Sequence, residues 1–196
     1  GNKKWHTISS RLAKRTYEIW VKRGVVFANH ICSVASRIYN YANEMEYGNH
    51  NPFSNIRRKS PKPRRIVWNK EQVRQFLDYS YSFFEYRSIG LIVHMAYEWC
   101  QRIGDMRMLT WDDIDFNKGQ LNLEQSKRRS KVYLPISDDL YEMLSQQKED
   151  YDFQKYVAPN IKPIDGKYYP YTLEGVSKIG RQVMRQIELP DELRLM

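Results

Sequence analysis

Between Val25 and Tyr47 the side chains of Ile31, Val34, Ala35, Ile38, Ala42 and Met45 return every three or four residues, the period of a helix with one apolar face. Gly48-Asn49 supplies a stop, and Asn51-Pro52 confirms it. A shorter helix over roughly Arg11 to Lys22 precedes it and ends at Arg23-Gly24. Further on, Asn69 is placed to cap a helix opening Lys70-Glu71-Gln72, with Gln72 returning the bond as in a capping box. The stretch from about Ser88 to Gln101 is apolar on most sides (Ile89, Leu91, Ile92, Val93, Met95, Ala96, Trp99), which predicts a central buried helix. The period then drops to two: Leu121 to Gln125 and Lys131 to Ile136 read as short strands joined by the basic turn Ser126 to Ser130. Ser137 caps a helix from about Asp138 to Gln147, and a less regular stretch, Asp150 to Pro170, follows. A last helix, Leu173 to about Ile187, lines up Val176, Ile179, Val183, Met184 and Ile187. The expectation is a mainly α chain with a small antiparallel hairpin or sheet, an α+β fold, without internal repeats.

Charge divides this string of elements unevenly. The 196 residues hold 32 Lys+Arg against 23 Asp+Glu, a net charge of +9. Residues 1–65 contribute 14 basic and 3 acidic side chains, and residues 66–196 contribute 18 and 20. The whole surplus thus sits in the first third, which suggests a basic nucleic-acid-binding module joined to a part with a different task. The segment Arg57 to Arg65, with six basic residues and two prolines, reads as a linker. The predicted organisation is therefore a helical domain over 1–56, a linker over 57–67 and a second domain over 68–196.

Composition excludes other classes. An apolar share of 41% with 14% aromatics is enough to fill a core, which argues against wholesale disorder. No run of about 18 apolar residues exists, so no membrane span is expected. Cys32 and Cys100 both fall in apolar helical patterns and read as buried free thiols in a reducing compartment. The histidines, His6, His30, His50 and His94, are scattered, so neither a structural metal nor a cofactor is expected. A start at Gly-Asn, without a signal peptide, suggests a piece cut from a longer cytoplasmic protein.

The segment richest in chemistry is Tyr97 to Phe116. It reads as a buried helix ending at Arg102, a turn at Gly104, a short helix carrying Asp105 and an acidic turn over Asp112 to Asp115. Burying an arginine there is costly unless it is paired, and Asp105 stands three residues on. The pair either staples two helices or holds a planar guanidinium toward an oxyanion or phosphate.

These residues resemble the first conserved box of the tyrosine recombinases, or phage integrases, which reads T-G-x-R-x-x-E-L/I-x-x-L-x-W-x-D-I-D. Arg102, Asp105, Leu109, Trp111 and Asp113-Ile114-Asp115 stand at the matching places. The chain departs at Cys100-Gln101, where Thr-Gly is usual. The hairpin adds a second likeness: Gln125-Ser126-Lys127 resembles the family's Q-T-K turn, and Val132 to Ser137 its V-x-I-P-L-S exit strand. In the first domain, the Ala28–Ala42 helix followed by Asn51-Pro52-Phe53 resembles the family's core-binding domain.

The resemblance implies a helical SAM-like core-binding domain followed by a catalytic domain truncated at its C-terminus. It also implies cleavage and rejoining of double-stranded DNA through a 3′-phosphotyrosine, without metal, in protomers that assemble as tetramers on DNA. Arg102 and Lys127 would be catalytic, Asp105 an orienting acid. Lys14, Lys22, Arg23, Arg37, Arg57, Arg58, Arg64, Arg65, Arg128, Arg129 and Lys131 are candidate DNA contacts. Asp191 to Arg194 has the D-x-x-R outline of the second box, H/K-x-x-R, which makes Arg194 a candidate second arginine, although that box is expected past Met196. None of the 15 tyrosines stands in a nucleophile's context; Tyr168, Tyr169 and Tyr171 precede the last helix and read as packing residues. The expectation is a fragment that binds DNA and forms no covalent intermediate. The alternatives are a helical DNA-binding regulator that never cuts and, more weakly, an RNA-binding protein that stacks bases on aromatics.

Overall fold

The computed structural model describes residues 7–62, 66–125 and 130–195. The chain divides into two compact units, Gly1–Arg65 and Ile66–Met196. It is mostly helical, with one small antiparallel sheet. Among the described residues no helix is long and apolar enough to cross a membrane.

The first unit is a helical pair, α1 (Ser10–Arg23) and α2 (Val25–Glu44). Ser9 caps α1 by accepting from the Leu12 amide, and Lys22 and Arg23 in the last turn complement the negative end of its dipole. Gly24, at φ 146°, joins the helices with a backbone that a side chain would disfavour. The packed face of α2 is Ala28, Cys32 and Tyr39, while Val34, Ile38 and Met45 are exposed. Of the apolar stripe read from the sequence, Ala35 packs against this core, while its larger members Val34, Ile38 and Met45 do not. Close approach of two helices is served by small residues, so Ala28 and Cys32 carry the contact while the bulkier aliphatics lie on another side.

Asn51-Pro52-Phe53 does more than end α2. Phe53 is buried between Trp20 and Tyr39, with ring centroids 6.2 and 5.6 Å away. Asn51 is the bracket that holds it there. Its Oδ1 accepts from the Phe53 amide, and its Nδ2 donates to the Ser36 carbonyl and the Asn40 side chain. The start of the basic stretch is tied to the same unit. Tyr17 OH accepts from the Lys59 amide and donates to Asn29, Asn29 Nδ2 donates to the Lys59 carbonyl, and Arg58 donates to Ser33 Oγ. Pro63, Arg64 and Arg65 lie outside the described residues.

The second unit is built around α4 (Phe84–Glu98), buried from Arg87 to Val93. It begins four residues earlier than its apolar run suggests, because Arg87 is taken inside by Gln147 (2.8 Å) and by an ion pair with Asp150 (2.5 Å). A buried cation is tolerable with such partners and invisible to a count of apolar residues. Helix α3 (Lys70–Ser82) opens with the expected capping box: Asn69 accepts from the Gln72 amide and Gln72 from the Asn69 amide. It lies close against α4, where a Cβ on Gly90 would come within 2.7 Å of Ser80 Cβ.

After the short α5 (Ile103–Met106) and a 3-10 turn, Trp111–Asp113, come β1 (Ile114–Asp115), β2 (Gln120–Glu124) and β3 (Lys131–Pro135), antiparallel in that order. Register puts Leu121 opposite Leu134 and Leu123 opposite Val132, so one face of the hairpin is apolar and packs on the core. Ser137 caps α6 (Asp138–Tyr151). The irregular stretch after it pairs with the loop after α5, through Val157 N to Leu109 O and Trp111 N to Lys155 O. Thr172 then caps α7 (Leu173–Gln186). The residues after α7 return to the core: Leu193 is buried, and Leu195 packs so closely on Gly180 that a Cβ there would clash with it.

Candidate active site

The segment from Trp99 to Asp113 builds one wall of a cleft. Helix α4 ends at Glu98, and Trp99 is anchored by its indole N–H on the Pro135 carbonyl. Cys100 then turns the chain at φ 51°. Counted back from Arg102, the glycine of T-G-x-R falls on Cys100 and the threonine on Trp99, which corrects the alignment of Cys100-Gln101 with Thr-Gly. The position needs left-handed backbone, and here a cysteine adopts it. Cys100 is also exposed rather than buried, because it stands on this turn after the helix has ended.

Arg102 takes the position just ahead of α5, not the end of α4. Its side chain is 46% exposed, so the expected burial cost is not incurred, while Asp105 is 5% exposed. Asp105 Oδ2 lies 3.7 Å from an Arg102 terminal nitrogen, and its amide caps the Arg102 carbonyl at 2.9 Å. One terminal nitrogen of the guanidinium thus faces the Asp105 carboxylate, and the rest of the group is open to solvent. It faces a cleft of about 900 Å³ walled by Gln101, Asp105, Arg107, Leu123, Glu124, Leu173 and Leu195. Arg107 closes the back of it by donating to the Tyr171 carbonyl at 2.7 Å, which joins α5 to the start of α7.

The rest of the box is structural. Asp113 Oδ2 accepts from Thr110 N and Oγ1, and the Trp111 indole donates to the Tyr151 carbonyl. Asp115 accepts from the Lys118 amide, the main cause of a carboxyl held below its usual range; the Lys118 ammonium at 3.4 Å adds to it.

The hairpin reaches the same cleft. Gln125 Nε2 donates to Gln101 Oε1 at 2.6 Å, and the Gln125 amide to the Ser130 carbonyl at 3.0 Å. The base of the β2–β3 turn is therefore bonded to the residue beside Arg102. Lys127, Arg128 and Arg129 lie outside the described residues; Lys131 is exposed at the start of β3.

Arg194 folds back on its own segment, donating to the Asp191 and Leu193 carbonyls, while its own carbonyl accepts from Trp68 Nε1 at 2.8 Å. With Gln101 and Leu195 it walls a smaller hollow of about 220 Å³, and both of those residues also wall the Arg102 cleft. The tail that carries Arg194 is thus brought to the edge of the site. Among the described residues, no tyrosine walls the cleft. Burial pushes the Tyr171 hydroxyl pKa up, away from a nucleophile's need.

In the first unit, Lys14 and Lys22 share the exposed face of α1 with Arg11 and Arg15, which the sequence reading passed over although their spacing puts them there. Arg23 lies over the Phe27 ring at 4.6 Å; Arg37 and Arg57 are exposed. Gln101 and Arg107 were missed too. Gln101 has no pattern of its own, and its contact with Gln125 spans 24 residues.

No curated protein matches the chain by sequence. Among solved structures it is similar to lambda integrase as a dimer bound to a COC′ core site, with a TM-score of 0.76 at 20% identity over 97% of this chain and 54% of that one. Lambda integrase as a tetramer bound to a Holliday junction gives 0.76 at 19% identity, over 97% and 54%. The Tn1549 transposon integrase in complex with circular intermediate DNA gives 0.70 at 15% identity, over all of this chain and 71% of that one. At these identities the likeness is one of fold, and the chain spans about half the length of the lambda integrase chains it matches. The sequence profile of the phage integrase family matches residues 67–189, the stretch that carries Arg102, Asp105 and the β2–β3 hairpin, and the chain belongs to that family.

Proposed function

We propose that this chain is the DNA-holding part and half of the active site of a tyrosine recombinase, which cleaves and rejoins strands of double-stranded DNA. The observation that carries the reading is the Arg102 cleft: a half-exposed guanidinium beside a buried carboxylate, with the base of the hairpin turn bonded next to it through Gln125 and Gln101. In the reaction a tyrosine hydroxyl attacks the phosphodiester, forming a 3′-phosphotyrosine and releasing a 5′-hydroxyl. Reversal joins the new strand. Arg102 would donate to the non-bridging oxygens as negative charge builds on them. Lys127 would protonate the leaving 5′-oxygen, and Asp105 would hold Arg102. Arg194, at the edge of the cleft, is the candidate second arginine. In this reading residues 1–56 grip the duplex with Lys14, Lys22, Arg23 and Arg37. Arg57, Arg58, Arg64, Arg65, Arg128, Arg129 and Lys131 take further phosphates, and protomers assemble on DNA.

No described tyrosine walls the cleft, so these 196 residues are expected to bind duplex without becoming attached to it. The test is incubation with a nicked suicide duplex, read by mobility shift at several salt concentrations and on a denaturing gel. Steeply salt-dependent binding with no covalent adduct is the expected result. An adduct would overturn the assignment of the nucleophile to residues outside this chain. Absence of duplex binding at low salt, or tighter binding of single-stranded RNA, would overturn the recombinase reading itself.

A further inference from the structure

Glu98 is the last residue of α4, where a carboxylate is opposed by the negative end of the helix dipole. Its side chain reaches instead to the start of α6, the end of a helix that favours negative charge. There Oε1 accepts from the Ser137 amide at 2.9 Å and Oε2 from the Ser137 hydroxyl at 2.6 Å. Ser137 is the cap of α6, and His94, one turn back on α4, faces Oε2 with its Nε2 at 3.6 Å. The next residue adds a third bond to the same short segment, from the Trp99 indole N–H to the Pro135 carbonyl at 2.9 Å.

Segment 135–137 is itself fixed on the sheet. Pro135 stands opposite Gln120, and the Ile136 amide donates to the Gly119 carbonyl at 2.9 Å. The β2–β3 hairpin is therefore held at both ends by one short stretch, residues 98–101. Glu98 and Trp99 hold its exit, and Gln101 holds the base of its turn through Gln125. Two attachments fix an orientation that one alone would leave free to swing. Arg102 follows directly on this stretch, and Leu123 and Glu124 of β2 wall its cleft.

We propose that Glu98 is a positioning residue for strand cleavage: through Ser137 it locks the end of α4 onto the exit of the hairpin, and so sets where the Arg102 guanidinium stands against the phosphodiester and the hairpin turn. This rests on the strand-cleavage reading and adds a residue that the family pattern does not assign, since the pattern begins at Trp99. Glu98 acts through Arg102 and not on the substrate.

The test is a double-variant cycle read by duplex binding. Salt series with a mixed-sequence duplex are run on the wild-type chain, Glu98→Ala, Glu98→Gln, Arg102→Ala, and Glu98→Ala combined with Arg102→Ala. One phosphate contact contributes about 0.9 to the slope of log affinity against log salt. Arg102→Ala and Glu98→Ala should each lower the slope by about that much, and the combined variant by no more than either alone. Glutamine removes the same charge yet still accepts from the Ser137 amide, so Glu98→Gln should keep the wild-type slope. If Glu98→Ala keeps that slope, if the combined loss is the sum of the two, or if glutamine loses as much as alanine, the inference falls while the recombinase reading stands. Should Glu98→Ala fail to show a cooperative thermal midpoint, Glu98→Asp, one methylene short of Ser137, takes its place under the same criteria. A slope that Arg102→Ala leaves unchanged overturns Arg102 as a phosphate ligand, and the inference with it. A wild-type chain that does not bind the duplex overturns the recombinase reading as well.

Discussion

Cys100 occupies the left-handed region at φ 51°, where a side chain costs about 1–2 kcal/mol. Its neighbours explain why the chain accepts this. Trp99 must anchor on Pro135, Gln101 must meet Gln125, and the turn between them has to reverse direction within one residue. Cys100→Gly is expected to raise stability by about 1 kcal/mol, read as a higher urea midpoint at unchanged slope. A midpoint that stays or falls would show that the backbone here is not strained. At this scale the sequence was informative about identity and poor about setting. Arg102 and Asp105 stand out by type and spacing, yet whether the guanidinium is buried depends on where α4 stops. It stops at Glu98, which leaves Arg102 beside solvent.

Between elements, a chain of polar contacts ties α3, α4 and α6 together. Tyr81 OH meets His94 Nδ1 at 2.9 Å, His94 Nε2 lies 3.6 Å from Glu98, and Glu98 accepts from the amide and hydroxyl of Ser137, the α6 cap. Burial lowers the His94 pKa below its usual 6.5, against a smaller opposing pull from Glu98 and Asp139. The unfolded chain therefore binds a proton at a higher pH than the folded one. The stabilisation is complete above pH 6.5 and is lost as pH falls from there through the folded value. The thermal midpoint should decline as pH drops below about 6.5, and His94→Gln should flatten that decline before the carboxylates titrate. An identical profile in wild type and variant would remove His94 as the cause.

Helix periodicity, together with the cap residues Asn69 and Ser137, located the long helices of the described chain, because both signals are local. It did not identify the packed face of α2. Large aliphatics dominate a pattern, whereas two helices meet most closely through residues such as Ala28 and Cys32. The polar anchors of α4 escaped it as well, since Gln147 and Asp150 lie about 60 residues from Arg87.

Over the whole molecule the net charge of +9 separates into a strongly basic first unit and a second unit near neutrality. In the proposed reading the first holds DNA by many weak phosphate contacts, while the second acts on the scissile phosphate and adds a few contacts of its own. Replacing the basic residues of Arg57 to Arg65 by glutamine should therefore lower duplex affinity and its salt slope more than Arg102→Ala does, in the same titration. Equal losses would mean that Arg102 is one more phosphate contact rather than a ligand of the scissile group.

The order of the long helices and of the β2–β3 hairpin, the capping box at Asn69 and the family pattern from Arg102 to Asp115 were readable along the chain, because each depends on residues near one another in sequence, whereas β1 falls where an acidic turn was expected. The composition of the cleft was not. Gln101, Glu124, Leu173 and Leu195 meet around Arg102 from four separate stretches of sequence. No local period constrains contacts between such distant residues. Packing around α4 decides them.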